Sequence, residues 1–250
     1  MISEQRFGPG AEGHRPDLAQ DRLPRTALVV QLGQPRQLEA HLLRLQASAA
    51  MLGHPASWVA GLQRELCLWL QTTWPGGNAA LRLVLQPAQG FCFARLEDLP
   101  VPPSPCHLVP MPHPLKEGRS DPAAPHKGLS GSWPATAMRE AQRLGGDDAL
   151  LLWPDGTLAE TAIAAVGLER GDRFLLPPPE GRVASLAERL DLPAWAVARR
   201  LRISTAPISF EEAMEGRLWC MNALRGIWPA TLRGSLPPGS ASARKRGRLL

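Results

Sequence analysis

The spacing of apolar positions changes period several times along the chain. TALVVQL, residues 26–32, is apolar and β-branched and stops at the turn-like GQP, which predicts a strand. Beyond it Leu38, Leu42, Leu45, Ala49 and Leu52 recur at spacings of three and four, the mark of one helix face, and Gly53 suits the C-terminal end. A second helix is predicted after Ser57, running through Trp58, Leu62, Leu66 and Trp69. NAALRLVL then reads as a strand and FCFARL as its hairpin partner. Residues 1–24 mix Gly, Pro and charge without a period and read as a loose segment. These elements predict a small α+β domain over residues 1–100.

Residues 101–125 are so rich in proline that only a short strand around HLVPM can be placed there, and they read as an interdomain connection. A larger domain is expected over 126–236. Ser132 is placed to cap a helix that has Pro134 in its first turn, apolar Ala137, Met138, Ala141 and Leu144, and a Gly145-Gly146 stop. DALLLW, TLAETAIAAVGLE and RFLLP, separated by the turns PDG and RGD, predict an antiparallel meander. Short helices are expected around 184–190 and 194–201, and Ser209 with Glu212 forms a capping box for another. RLWCMNALRGIWPATL reads as a strand broken by a turn at NALRG. Residues 237–250, which include ARKRGRLL, read as a frayed basic tail.

Composition narrows the function classes. The 28 Lys and Arg against 23 Asp and Glu leave a net charge of +5, partly in the tail, without the domain-wide basic stripe of a nucleic-acid binder. No run of about 18 apolar residues is present, and MISEQRFGPG lacks a signal-peptide core, so no membrane association and a cytoplasmic location are expected. Cys67, Cys92, Cys106 and Cys220 are scattered without a CxxC pair, so neither a metal site nor a disulfide framework is expected. Positive charge is written almost wholly as arginine: Lys116, Lys127 and Lys245 are the only lysines, and tyrosine is absent. A retained lysine matters because only a primary amine forms a Schiff base.

Four segments, LEAHLLRLQASAAMLG, the HK dipeptide before a helix, DDALLLWPDGTLAET and MNALRGIWPA, carry a resemblance in their order and separation. Over residues 26–234 the chain resembles the class IV aminotransferases, the fold-type IV pyridoxal-phosphate enzymes, and among them most the aminodeoxychorismate lyase branch. The resemblance implies a two-domain α+β fold like that of D-amino-acid aminotransferase, with a small N-terminal domain and a larger β-meander or barrel domain with helices. It also implies a homodimer, with pyridoxal 5'-phosphate between the domains and near the partner subunit.

Residue by residue, the resemblance places the family's covalent lysine on Lys127, the glutamate facing the pyridine nitrogen on Glu160, and the phosphate-binding arginine on Arg44. It sets Asn222 and Ala223 at the turn beside the phosphate, and makes Arg225 a partner for a substrate carboxylate. Each has a plain alternative: Lys127 a loop lysine, Glu160 a hairpin polar residue, Arg44 an exposed helix arginine, Arg225 a surface turn arginine. The physical chemistry of each role is sound. A carboxylate keeps the ring nitrogen protonated, the planar arginine fork matches phosphate oxygens, and backbone N–H groups of a turn bind anions. Departures from the family pattern are Ser130-Gly131 in place of Asn-Tyr, Ala165 in place of an Asn, and PPPEGRVASLAERL without the Gly-Ile helix start, where Ser185 or nearby backbone is the candidate substitute.

The expected function is a pyridoxal-phosphate lyase that converts 4-amino-4-deoxychorismate to 4-aminobenzoate and pyruvate in folate synthesis. The alternatives are a class IV amino-acid aminotransferase, for branched-chain or D-amino acids, and a degenerate family member that acts as a binding protein.

Overall fold

The computed structural model describes residues 2–11, 22–54, 56–114, 118–129 and 131–234. The expected basic tail, Lys116, Ser130 and Lys245 lie outside them. The chain divides into two units: the first holds the residues up to Val101 together with His126–Gly131, and the second holds Pro102–Pro125 and the residues from Ser132 on.

The first unit is a five-stranded antiparallel sheet with two helices on one face. Its strands are β1 (Ser3–Phe7), β2 (Arg25–Gln31), β3 (Gln34–Pro35), β4 (Asn78–Gln86) and β5 (Phe91–Asp98), in the order β1-β5-β4-β2-β3. The helices are α1 (Leu38–Met51) and α2 (Leu62–Thr73), the latter entered through a 3-10 turn at Ser57–Gly61. Leu28 pairs with Leu81, and Leu81 with Leu96, so the register puts one apolar row of each strand on the same face. That row meets Leu38, Leu42 and Leu45 of α1 and Leu62, Leu66 and Leu70 of α2. Each leucine so buried contributes roughly 1.5–3 kcal/mol, which is why the apolar period was readable in both element types.

The loose N-terminal reading is corrected at β1. Ser3–Phe7 pairs antiparallel with β5, from Ser3 opposite Leu96 to Phe7 opposite Cys92. Only Phe7 is buried, with its ring 5.5 Å from that of Trp69. An edge strand has one hydrogen-bonded neighbour and, in this case, one buried side chain, so SEQR carries no alternating signal.

The second unit is a mixed eight-stranded sheet in the order β11-β10-β9-β12-β13-β6-β7-β8. The strands are β6 (Cys106–Pro112), β7 (Asp148–Leu152), β8 (Leu158–Thr161), β9 (Ala165–Arg170), β10 (Arg173–Leu176), β11 (Arg202–Thr205), β12 (Arg217–Asn222) and β13 (Gly226–Leu232). Its helices are α3 (Trp133–Arg143), α4 (Leu186–Leu190), α5 (Leu192–Ala198) and α6 (Phe210–Glu215). Parallel pairs join β6 to β7 and β13, and β10 to β11. Val109, Leu151 and Ala141 pack α3 on the sheet, and Phe174, Leu192 and Trp219 do the same for α5. The capping box forms as expected, with the N–H of Glu212 on the Ser209 hydroxyl and that of Ser209 on the Glu212 carboxylate. Ser132 precedes α3 but makes no side-chain cap.

The meander expectation is corrected within TLAETAIAAVGLE, which is two strands in different parts of the sheet. β8 pairs with β7 at one edge, while β9 pairs with β10 and β12. The break is made by Thr161. Its hydroxyl accepts the N–H of Ala164 at 2.9 Å and donates to the Ala164 carbonyl at 3.0 Å, closing a local turn in place of a ladder.

Asp148 is buried at the start of β7 and accepts the Ala149 N–H at 2.8 Å. Burial pushes its pKa from 3.8 up to about 6, outweighing the Ala149 N–H, which pulls it down. The folded protein binds this proton more tightly than the unfolded chain, so stability falls as pH rises between those two values and stays reduced above them. At about 1.4 kcal/mol per pH unit the penalty is about 3 kcal/mol. In urea unfolding at pH 4 and pH 7, Asp148→Asn is expected to gain on the parent by up to about that amount at the higher pH. A difference independent of pH would refute the burial account.

Candidate functional site

The two units carry separate sets of the candidate side chains. In the first, α1 presents His41, Arg44 and Ser48 at spacings of three and four, hence on one face. His41 is buried, with Nδ1 2.6 Å from the Thr26 hydroxyl, and is a link between helix and sheet. Arg44 is half-buried, and its Nε and Nη2 are shielded from solvent. Ser48 donates its hydroxyl hydrogen to the Arg44 carbonyl at 3.0 Å and lies 3.1 Å from His126 Nδ1.

Lys127 sits in the turn that follows His126 and is half-buried. Its carbonyl accepts the Arg25 N–H at 3.1 Å, and the Leu129 N–H closes on the His126 carbonyl at 3.0 Å. The next residue has to be glycine: Gly128 has φ +96°, and a Cβ there would lie 2.2 Å from the Leu23 carbonyl oxygen. The backbone of the lysine is therefore held to β2 and by its own turn, while the His126 side chain meets Ser48 of the helix that carries Arg44. Burial, then the nearby charge of Arg44, lowers the pKa of His126 from its ordinary value.

In the second unit Glu160 lies on β8, only 4% exposed, and both its oxygens are 3.2 Å from the Val183 N–H. His113 Nε2 is 4.0 Å from Glu160 Oε1. The His113 ring stacks on Trp153 at 4.2 Å and tilts against Trp133 at 5.5 Å. Val183 is aimed by a clamp: buried Arg182 donates to the carbonyls of Pro177 and Pro178 and grips the Glu188 carboxylate with both terminal nitrogens. Ser185, weighed above as a substitute phosphate contact, accepts the Glu188 N–H at 3.4 Å.

The turn between β12 and β13 is organised by Asn222. Its Oδ1 accepts the N–H groups of Leu224 and Arg225 at 3.0 and 2.9 Å, and its Nδ2 donates to the Ile163 carbonyl at 3.2 Å. The Asn222 side chain thus holds two turns together, and the Ala223 N–H lies outside this arrangement. Arg225 is half-buried, its guanidinium 5.9 Å from the centre of the Trp228 ring.

His113, Val183, the Arg182 clamp and the His126 link to Ser48 were not singled out from sequence. His113 lies in the proline-rich stretch read as connection, and the Val183 contact is made by backbone, which leaves no mark in residue type. Among the described residues no cluster of His, Cys, Asp and Glu could hold a metal ion, and no helix is long and apolar enough to cross a membrane.

Comparison with known proteins gives one family and many related folds. The sequence model of the family described as Amino-transferase class IV matches residues 26–232. No curated protein matches the chain. Among solved structures, a fold IV transaminase from Curtobacterium pusillum is 20% identical with a TM-score of 0.74, covering 92% of this chain and 85% of that one. A 4-amino-4-deoxychorismate lyase from Pseudomonas aeruginosa is 21% identical with a TM-score of 0.68, covering 91% and 90%. A hypothetical aminotransferase from Mycobacterium tuberculosis in its PLP-bound form is 19% identical with a TM-score of 0.74, covering 94% and 93%. At these identities the likeness is one of fold.

Proposed function

Because the chain belongs to the class IV aminotransferase family, whose members are pyridoxal-phosphate enzymes, we propose that it is a lyase of the 4-amino-4-deoxychorismate type, releasing 4-aminobenzoate and pyruvate. The observation that carries the reading is the turn around Lys127, fixed on the same unit as the part-shielded Arg44 guanidinium. The side chains fit the group. Arg44 offers a fork for a phosphate, Lys127 is a primary amine on a constrained turn, and Glu160 is a buried carboxylate whose shared N–H leaves lone pairs for a ring N–H.

When bound, pyridoxal phosphate supplies the electron sink that stabilises negative charge at the substrate carbon. The chain supplies the rest. Arg44 and the Ala223 N–H would hold the phosphate, and Glu160 would keep a proton at the ring nitrogen. The Lys127 amine would take and return protons at the reacting carbon. Expulsion of pyruvate then leaves an aromatic ring. Arg225, braced on Trp228, is assigned to a carboxylate of the dicarboxylate substrate, and the NALRG turn followed by proline favours the lyase branch over the aminotransferases. The reading includes a cytoplasmic homodimer serving folate synthesis.

Product assays test it. Aminodeoxychorismate is expected to yield 4-aminobenzoate and pyruvate, while amino acid plus keto acid yields no new amino acid. Transamination without lyase product would assign the chain to the aminotransferases. Colourless protein indifferent to added cofactor would make it a binding protein.

A further inference from the structure

Ser48 has a single hydroxyl hydrogen, and the Arg44 carbonyl takes it at 3.0 Å. Toward His126 Nδ1, 3.1 Å away, the same oxygen therefore offers only a lone pair. With the hydroxyl hydrogen kept on the carbonyl, the second bond takes its hydrogen from the imidazole, in the tautomer that carries the proton on Nδ1 and, when neutral, keeps a lone pair on Nε2. This link joins residues far apart in sequence: Ser48 stands one helical turn beyond Arg44, and His126 immediately precedes Lys127.

We propose that His126 is a positioning residue, whose Nδ1–H, donated to Ser48, sets the turn that carries Lys127 against the helix that carries Arg44. The inference rests on the reading of Lys127 and Arg44 as cofactor anchors. Two ties then fix the lysine backbone. The Arg25 N–H on the Lys127 carbonyl holds it to the sheet, and His126 holds it to α1. Without the second tie the turn is held less firmly against α1, and the amine and the guanidinium are less well placed to span an aldehyde carbon and a phosphate on one rigid ring. Burial, then the Arg44 charge, favours the neutral imidazole over the imidazolium.

The test uses the whole chain and two readouts. In the cofactor-free protein, ¹⁵N NMR of the imidazole is expected to show His126 as the Nδ1–H tautomer, a preference that Ser48→Ala removes. Pyridoxal phosphate affinity is then measured by absorbance, and the rate of the borohydride-trapped adduct by mass spectrometry. His126→Leu and Ser48→Ala are each expected to weaken affinity about three- to tenfold, the scale of one net hydrogen bond. The double variant should be no weaker than the worse single one, because both remove the same link. His126→Asn, whose amide nitrogen can reach the Nδ1 position, should recover most of the loss, and His126→Gln should not. A Nε2–H tautomer, or an Asn variant as weak as Leu, overturns the proposal. So do variants that bind cofactor like the parent and differ only in melting temperature. If the parent itself forms no adduct, the cofactor reading fails and takes the inference with it; a competent parent with silent His126 and Ser48 variants overturns the inference alone.

Discussion

Lys127→Ala is expected to abolish the borohydride-trapped cofactor adduct and all turnover, while Lys116→Ala leaves both. The reason is chemical. The chain has three lysines, and no other side chain in it is a primary amine able to condense with an aldehyde. The substitution is also expected to leave the fold alone, because the Arg25 bond is made to the backbone carbonyl of Lys127 and the tight turn is enforced by Gly128. Loss of adduct at an unchanged melting temperature is therefore the result to look for. Peptide mapping of the reduced adduct to Lys116 or Lys245 would sink the site assignment.

Glu160→Gln should still admit cofactor but lose turnover by about ten- to a hundredfold, the scale expected when a charge-assisted hydrogen bond of roughly 1.5–3 kcal/mol is weakened. The Gln carbonyl can accept the Val183 N–H as a carboxylate oxygen does, so the local geometry survives while the negative charge is lost. The protonated ring nitrogen is then less favoured and the electron sink shallower. Arg44→Ala should behave in the opposite way, weakening affinity first and affecting the saturated enzyme less. The split between KM and kcat separates the two roles. Parental turnover in Glu160→Gln at full cofactor occupancy would reduce Glu160 to a strand residue.

Legibility in the sequence followed the physics of each element. β2, α1 and the β12–β13 hairpin were readable because a single period, or a turn flanked by apolar runs, governs them. The capping box at Ser209 and Glu212 was readable because its partners are three residues apart. The division of β8 from β9 was not, since Ala162, Ile163 and Ala164 suit a strand and only the Thr161 hydroxyl, bonding to its own neighbourhood, decides otherwise. Lys127, Glu160 and Arg44 stood out only through the family resemblance, and the structure adds what fixes their surroundings. His126 and Ser48 are 78 residues apart, and no local rule joins them. Val183 reaches Glu160 through an atom common to every residue except proline.

The first unit is assembled from a discontinuous stretch of chain: His126–Gly131 belongs to it, although Pro102–Pro125 belongs to the other. A fragment that stops at Val101 would carry the helix with Arg44 but neither His126 nor Lys127. During synthesis from the N-terminus, this unit remains without its lysine until a strand and loop of its neighbour have emerged. A gene cut at the apparent seam would yield two pieces, with Lys127 on the one that lacks the rest of its unit. Recombination between relatives therefore has to cross the chain after residue 131 if the arginine and the lysine are to be inherited together.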